Sequence, residues 1–438
     1  MRRSAPRSAA VAVPVDRAAP LAMPAALEAA LHEGGRVLPA GWLVVAGAFV
    51  VLMVGYGAAY SFAAFAAPLG AEFGVSHAQT SMVYALSSGV ALLMSGMSGR
   101  IADRHGSRRP ALLGMLLVSL GLLLASGAQS FSQLLLCYGL LIGCGIGLAY
   151  VPALAAVQRW FDRRRGLASG IAASGSALGT ALVPPLADLL FWLGGGWRLA
   201  FQLSGIAALL CGIVGALLLA RAPDRPGAPA PPGPPAGEPA SASLLPPLAR
   251  TRRFGLLYAG CLLVSLPIAL PFAHLPSFSA TVLHLRPEAT LHLLMLIGFT
   301  SLPSRFLLGA LADRVGRGTI FLGCCIGLAM GTAGWAASDT MAGMRLFAMV
   351  FGVTYGGFVA LLPAFVADLY GRALAGTMIG LLYSSRGLAL LLAPPLVALA
   401  AETAQSPAPA IGSVAVLGLL GTALIARAGA APQPADRA

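Results

Sequence analysis

GRIADRHGSRR at residues 99–109 returns in altered form as GALADRVGRG at residues 309–318. The shared positions lie 210 residues apart: Gly99, Asp103, Arg104 and Gly106 in the first stretch, and Gly309, Asp313, Arg314 and Gly316 in the second. The pair Pro184-Pro185 recurs as Pro394-Pro395 with the same offset. Two independent landmarks at one offset predict a duplicated structural unit.

The composition around these repeats is that of a membrane protein. The chain has 438 residues, of which 58% are hydrophobic and 10% charged, and its mean hydropathy is +0.83. Charged residues make up about a quarter of ordinary soluble proteins. The formal net charge of +13 would suggest nucleic acid as a partner in a soluble domain, but all 28 basic residues are Arg and most lie between apolar runs. The composition therefore predicts a lipid bilayer as the partner, and no nucleic acid.

Apolar runs of about 20 residues leave room for twelve transmembrane helices. We predict an all-α membrane protein whose spans cover residues 42–69, 78–98, 110–128, 132–155, 166–191, 198–220, 254–281, 288–311, 319–337, 343–366, 373–400 and 409–427. These spans form two six-helix bundles. The predicted organisation is a disordered tail at 1–41, bundles at 42–220 and 254–427, a Pro-rich linker at 221–253, and a tail at 428–438.

Arg residues set the predicted orientation. Most of them lie in the tails, the linker and alternate loops, whereas Arg198, Arg286 and Arg345 lie on the opposite side. Positive residues are retained in the cytoplasm, so both termini are predicted to be cytoplasmic.

The loop motif, its second copy, the two bundles and the long linker resemble the major facilitator superfamily of secondary transporters. The stretches GWLVVAGAFVVLMVGYGAAYSF at 41–62 and YVPALAAVQRWFDRRRGLASGIAASGSALG at 150–179 resemble its monocarboxylate-transporter-like branch, including bacterial oxalate/formate antiporters. The resemblance implies two pseudo-symmetric bundles that bind substrate between them near the membrane midplane.

Arg305 and Arg386 are the most informative single residues, because each lies inside a predicted span. An Arg in that position costs about 2.5–3.5 kcal/mol on insertion scales. Ser301 and Tyr383 lie on the same small or polar helix faces. Because no Asp or Glu occupies the middle of a predicted span, we predict that both guanidinium groups bind an anionic substrate. The alternative is that each Arg pairs with an internal acid or with backbone carbonyls.

The family resemblance assigns roles to several of these residues. It places Arg305 at the substrate-binding Arg of span eight, and Arg386 where oxalate transporters carry a second cation. Ser301 stands where many animal members have a carboxylate, and Tyr60 replaces their span-one Lys. Tyr60 and Tyr150 are further substrate-binding candidates, because a phenolic hydroxyl can donate to a carboxylate; both are equally ordinary packing residues.

His274 is the candidate for proton coupling, since its unperturbed pKa suits proton exchange and it lies within a span. The alternative is that it satisfies backbone carbonyls exposed near Pro271 and Pro276.

The two Asp-Arg loops are predicted to form a cytoplasmic gate. Asp103 and Asp313 can accept hydrogen bonds from backbone N–H groups at a neighbouring helix start. The opposite charges are supplied by nearby basic residues: Arg104, Arg108, Arg109, Arg314 and Arg317. The family resemblance implies that this latch stabilises the outward-facing state. The alternative is that these residues only set the topology.

We therefore expect a secondary transporter of a small organic anion, a monocarboxylate, working by alternating access with proton symport or anion exchange. We expect a bacterial inner membrane as the location, because abundant Ala, Arg, Gly and Pro without Lys fit a high-GC bacterial gene. We also expect a monomer. No phosphate loop, metal cluster or nucleophile with a base is evident, so we expect no enzyme activity, cofactor or metal. Two alternatives are a proton-driven drug or metabolite efflux antiporter and a non-transporting membrane receptor.

Overall fold

The computed structural model describes residues 38–161, 164–190, 196–220, 251–284, 287–404 and 407–430, which are almost entirely helical. Most of the two predicted tails and of the linker, together with Arg286, lies outside these residues.

Twelve long helices follow one another in the described ranges. They are α1 (Leu38–Phe73), α2 (His77–His105), α3 (Arg108–Ser126), α4 (Phe131–Trp160), α5 (Arg165–Leu190), α6 (Gly196–Leu217), α7 (Arg252–Thr281), α8 (Pro287–Val315), α9 (Arg317–Ala336), α10 (Met341–Tyr370), α11 (Ala375–Ala404) and α12 (Pro407–Ala430). Each overlaps one predicted span.

Most of the helices begin before the predicted boundaries, because helical hydrogen bonding includes residues that precede the apolar run. The predicted boundaries at residues 41, 253 and 427 fall inside α1, α7 and α12. At the start of α7, the Thr251 side chain accepts a hydrogen bond from the Phe254 backbone N–H at 3.3 Å. This cap begins the helix before the apolar run does.

Eleven of these helices contain a stretch long and apolar enough to cross a membrane, and α5 is the exception. Its sequence is rich in Gly, Ala and Ser, which favour close contact between helices. A Cβ atom on Gly170 would lie 2.0 Å from the Arg305 carbonyl oxygen of α8, and one on Gly175 would lie 2.1 Å from that of Phe49 in α1. The sequence of α5 therefore suits contact with protein more than contact with lipid.

From residue 41 onward, the described residues form one compact unit. Its buried apolar side chains gather in two clusters, one within residues 44–219 and the other mainly within residues 254–428. Helix α2 packs against α11, and α5 against α8, so these two pairs join the first six helices to the last six. The candidate site lies between them.

Candidate functional site

A cavity of about 310 Å³ lies between the two sets of helices. Side chains of α1, α2 and α4 line one side of it, and side chains of α7, α10 and α11 line the other. The prominent lining residues are five tyrosines and one arginine: Tyr56, Tyr84, Tyr150, Tyr355, Tyr383 and Arg386. Arg386 is the only charged residue among the described lining residues. The cavity thus combines one positive charge with an aromatic wall.

Arg386 is held by aromatic groups rather than by an acid. Its side chain is 9% exposed, and Nη2 donates to the Tyr355 hydroxyl at 3.2 Å. Its Cζ atom lies 5.8 Å from the ring centroids of Tyr355 and Tyr383 and 5.9 Å from that of Phe358. Within the described residues no carboxylate forms an ion pair with it. Ring contacts stabilise the cation without neutralising it.

Tyrosine hydroxyls connect the two sides of the cavity. Tyr150 of α4 donates to the Tyr383 hydroxyl of α11 at 3.1 Å, and their rings meet edge to face at 5.1 Å. The Tyr56 ring lies 5.3 Å from that of Tyr150. Of the predicted site residues, Tyr150 and Tyr383 therefore lie in the cavity. The backbone of Tyr60 lies in α1, but its side chain is outside the described part of the structure.

Sequence reasoning missed Tyr56, Tyr84 and Tyr355. A signal existed for Tyr355, which is followed directly by Gly356 and Gly357 in the apolar sequence of α10. Tyr56 lies one helical turn before Tyr60 and therefore on a neighbouring part of the same face. Tyr84 carries no comparable signal, because only the packing of α2 shows which of its faces meets the cavity.

Arg305 differs from its predicted place. It is 4% exposed, and Nη1 donates to the Ala173 carbonyl oxygen and, at 2.9 Å, to the Ser176 hydroxyl, both on α5. It is not among the residues that line the cavity. The expectation that both guanidinium groups converge on one cavity is therefore not met, because Gly170 brings α5 close enough to supply acceptors for Arg305.

Ser301 lies one turn before Arg305 and is also turned away from the cavity lining. It is 3% exposed, and its hydroxyl finds no hydrogen-bond partner among the described residues. The same is true of the Arg305 Nε atom. The contact predicted between Ser301 and the substrate is not part of this arrangement.

His274 lies outside the cavity lining as well. Its Nε2 atom is 3.0 Å from the carbonyl oxygen of Pro394, so the side chain links α7 to α11. The carbonyl belongs to α11 and not to the backbone near Pro271 and Pro276 that the alternative named, and proton coupling by His274 stays a prediction.

The first Asp-Arg loop joins α2 to the start of α11. The Asp103 carboxylate accepts from the backbone N–H groups of Gly376 at 3.1 Å and Thr377 at 2.6 Å. Arg159 of α4 donates to the same carboxylate at 2.5 Å. The helices touch here, since a Cβ on Gly99 would lie 2.0 Å from the Gly376 carbonyl oxygen. Asp103 thus caps a helix in the other half of the protein.

The second loop repeats this arrangement between α8 and α5. Asp313 accepts from the backbone N–H groups of Gly166 at 2.8 Å and Leu167 at 2.9 Å. Arg317 Nε donates to it at 2.8 Å. A Cβ on Gly309 would lie 2.5 Å from the Gly166 carbonyl oxygen. The acceptor role anticipated for both aspartates is therefore present in the geometry.

The charges around these caps differ from those expected. Arg317 also contacts Asp368 of α10 at 3.0 Å, and Arg165 donates to Asp368 as well. Sequence reasoning missed Arg159, Arg165 and Asp368, because an ion pair between distant helices leaves no mark on local sequence.

Other predicted gate residues have different surroundings. Arg104 lies in the last turn of α2. Arg108, Arg109 and Arg314 form no ion pair with a described residue. Gly106 and Gly316, with φ of 82° and 124°, have backbone conformations that favour glycine and redirect the chain after α2 and α8.

Twelve helices around a central cavity, joined at one end by two related caps, define the class of multi-pass membrane transporters. Residues 47–394 match the Major Facilitator Superfamily, and the chain belongs to this family. Monocarboxylate transporter 3 of Rattus norvegicus is 30% identical over 369 residues, covering 81% of this chain and 73% of that protein. An MFS-type transporter of Aspergillus niger is 26% identical over 373 residues, covering 83% of each chain.

Solved structures share the fold. A proton:xylose symporter has a TM-score of 0.68 at 13% identity, with 88% of this chain and 95% of that chain covered. A human organic anion transporter has a TM-score of 0.66 at 19% identity, with 88% of this chain and all of that chain (100%) covered. The protein is thus a membrane transporter that resembles the monocarboxylate-transporter branch, and it is not an enzyme.

Proposed function

We propose that the protein is a secondary active transporter of a small organic anion, a monocarboxylate. The observation that carries the proposal is Arg386, a buried cation that lines the cavity, donates to the Tyr355 hydroxyl, lies near aromatic rings and forms no ion pair with a described carboxylate. A carboxylate can accept two parallel hydrogen bonds from one guanidinium group. The transported anion would then supply the counter-charge that the described residues lack.

Tyrosines would complete the binding site. Tyr150 and Tyr383 already share a hydrogen bond across the cavity, and either hydroxyl can turn to donate to a bound carboxylate. Tyr60 and Ser301 stay predictions from the sequence.

Alternating access would work by breaking and remaking the two caps. Asp103 holds the start of α11 and Asp313 the start of α5, at the end of the helices that we assign to the cytoplasm. With both caps made, this end is closed, as required for an outward-facing state. Rocking of one six-helix bundle against the other would separate α2 from α11 and α5 from α8.

The coupling scheme is proton symport or anion exchange. In symport, an imposed pH gradient drives net uptake into empty liposomes, and His274 is the predicted proton acceptor. In exchange, uptake requires a preloaded anion and ignores the pH gradient. Comparing these two loading conditions separates the schemes.

The arrangement disfavours the competing functions. A lipophilic cation would meet the positive charge of Arg386 inside the cavity, which opposes drug efflux as the main activity. A non-transporting receptor has no use for two pseudo-equivalent caps that close one end. We further propose a bacterial inner membrane, cytoplasmic termini and a monomer.

The test is uptake of a labelled monocarboxylate into liposomes that contain purified protein. Arg386→Ala should abolish uptake, while Arg345→Ala should retain it, because Arg345 is an exposed arginine of α10 without a described ion pair. Unchanged uptake by Arg386→Ala, with normal recovery of protein, contradicts the proposal.

A further inference from the structure

The size of the cavity bears on which acid is carried. Its volume of about 310 Å³ falls at the lower end of the range of about 300–1,000 Å³ that holds drug-sized ligands. An acid of two or three carbons would fill a small part of it. The remaining space would then hold water against rings and aliphatic side chains, which is an unfavourable environment for water.

The walls of the cavity suit a flat, apolar body. Phe272, Ile268 and Leu390 of the second half and Tyr56 and Tyr84 of the first half all line it. Aromatic side chains bind rings by offset or edge-to-face contacts. The ring pairs already present show these geometries, since Tyr150 and Tyr383 meet at 80° and Phe272 and Tyr355 at 60°.

The charge of the cavity limits the ligand further. Arg386 supplies one positive charge, and no Asp, Glu or His lies among the described lining residues. Arg305 donates to Ala173 and Ser176 of α5 and is not among the lining residues, so a second carboxylate would have no cation of its own in the cavity lining. The ammonium group of an amino acid would likewise be left without an acceptor of opposite charge.

We propose that the preferred substrate is an aromatic monocarboxylate without an amino group, whose carboxylate binds Arg386 and whose ring fills the aromatic cleft. This inference rests on the proposed function and makes its substrate class specific. It predicts that binding strength rises with the apolar area of the acid and falls when a second charge of either sign is added.

Gly89 of α2 offers a direct way to change the size of the cleft. It lines the cavity, and a Cβ built on it meets no atom within 4 Å. Gly89→Leu should therefore add apolar volume to the cavity from a position where the Cβ atom itself has room. Gly323 of α9 is the matched control, because it is also an exposed helical glycine with nothing within 4 Å but lies outside the described cavity lining.

The experiment measures apparent dissociation constants from thermal shifts, and counterflow in liposomes, for phenylacetate, indole-3-acetate, lactate, phenylalanine and terephthalate. In the wild type, the two aromatic monocarboxylates should bind at least about tenfold more tightly than each of the other three acids. Gly89→Leu should weaken indole-3-acetate by about tenfold or more and change lactate by less than about twofold. Gly323→Leu should behave like the wild type.

Each result has a distinct meaning. Lactate binding as tightly as phenylacetate, with both lost in Arg386→Ala, overturns the substrate class and leaves the proposed function standing. Equal loss of lactate and indole-3-acetate in Gly89→Leu also overturns it, and Gly89→Ala provides a milder variant if the larger one folds poorly. If no acid shows binding that depends on Arg386, the proposed function itself fails.

Discussion

Arg305 and Arg386 occupy similar places in the sequence, each within an apolar helix, yet their surroundings in the folded protein differ. Arg305 reaches across a close helix contact to a carbonyl and a hydroxyl of α5. Arg386 faces the cavity with one phenol and three rings around it.

This difference shows that an arginine inside a membrane span can either link two helices or bind an anion, depending on its neighbours. An arginine that the protein itself supplies with acceptors links two helices, and its energetic cost is offset within the fold. An arginine that lies beside aromatic rings at a cavity has no counter-ion within the protein, so a soluble anion that enters the cavity can stabilise it. Burial alone does not separate these cases, since the two residues are 4% and 9% exposed.

The largest expected effect is that of Arg386→Gln, which removes the charge and keeps amide donors. Transport of a carboxylate should fall by about 100-fold or more, because charge-assisted hydrogen bonds contribute about 1.5–3 kcal/mol each. Arg386→Lys should recover part of the rate, since it restores the charge without the planar fork. Initial uptake rates in liposomes measure both. Equal rates for the Gln and Lys variants would show that the charge is not what the substrate needs.

Arg305→Gln should have a smaller effect of a different kind. We expect uptake to fall by about tenfold or less, since a link of about two hydrogen bonds between α5 and α8 is weakened. The thermal shift produced by substrate should remain, because Arg305 does not line the cavity. Complete loss of that shift would place Arg305 in contact with substrate, as the sequence alone suggested.

Substitutions of Asp103 and Asp313 test the contacts that hold the helices of Arg386 and Arg305 in place. Asp313→Asn loosens the α5–α8 contact that carries Arg305, and Asp103→Asn loosens α2 from the helix that carries Arg386. An Asn amide nitrogen cannot accept from a backbone N–H, and a lost cap costs about 1 kcal/mol. Each variant should lower the ratio of outward-open to inward-open protein by about fivefold.

A cysteine at Ser88, which lines the cavity, reports this shift. In a background without the native cysteines, its labelling by an external maleimide should slow in either Asn variant, by up to about fivefold, because the rate follows the fraction of outward-open protein. Unchanged labelling in both variants would mean that the caps do not hold this conformation closed.

In the ligand-free protein, removing the charge of Arg386 should raise the melting temperature, although the same change should abolish transport. Arg386→Met removes a buried charge that has no described acidic partner, and such replacements are often neutral or stabilising. We expect the melting temperature of the ligand-free protein to rise by about 2 °C. Arg305→Met also removes two bonds to α5, so its melting temperature should rise less or fall. A lower melting temperature for Arg386→Met than for Arg305→Met would contradict the assignment of Arg305 as the arginine that links two helices and of Arg386 as the one that binds substrate.

The smallest effect concerns an exposed arginine at the first residue of the predicted span 198–220. Arg198 contacts Glu72 at 2.6 Å, and the Trp197 indole N–H also donates to Glu72. The hydrogen bond from Trp197, followed by that from Arg198, lowers the pKa of Glu72. A lowered pKa contributes stability at neutral pH that is lost as pH falls through the folded-state value.

Glu72→Gln should therefore lower the melting temperature at pH 7 by less than about 1 °C, as is typical of exposed pairs. The difference from the wild type should shrink as pH falls below the ordinary range of a glutamate and vanish only below the lowered pKa of folded Glu72, where this carboxylate is protonated in both folded and unfolded protein. A difference that persists in acid would show that the contribution of Glu72 is not that of its charge.

Local sequence predicted a large part of this architecture. Apolar runs indicated the twelve helices, and the offset of 210 residues paired Asp103 with Asp313. The same offset relates Gly166 to Gly376, the residues whose N–H groups these aspartates cap. Duplication repeats both donor and acceptor, so symmetry in the sequence appears as symmetry in the contacts.

The sequence did not predict which residues form ion pairs between helices or which residues line the cavity. Arg159 and Asp368 are ordinary charges near helix ends, and their partners lie on other helices. Tyr84 lies in a helix whose faces look alike in sequence. Which face meets the cavity depends on how α2 rotates against α11, and that rotation follows from packing between distant segments.

The amino-acid sequence by itself determined that the chain enters a membrane, how many times it crosses, and that its halves are related, because hydrophobicity and repetition are properties of neighbouring residues. Tertiary structure alone decided that Arg305 donates hydrogen bonds to the protein, whereas Arg386 lines a cavity where it can bind a ligand. The reason is that the acceptors of Arg305 lie on α5, about 130 residues away in the chain. Only the close approach of two helices brings them within reach.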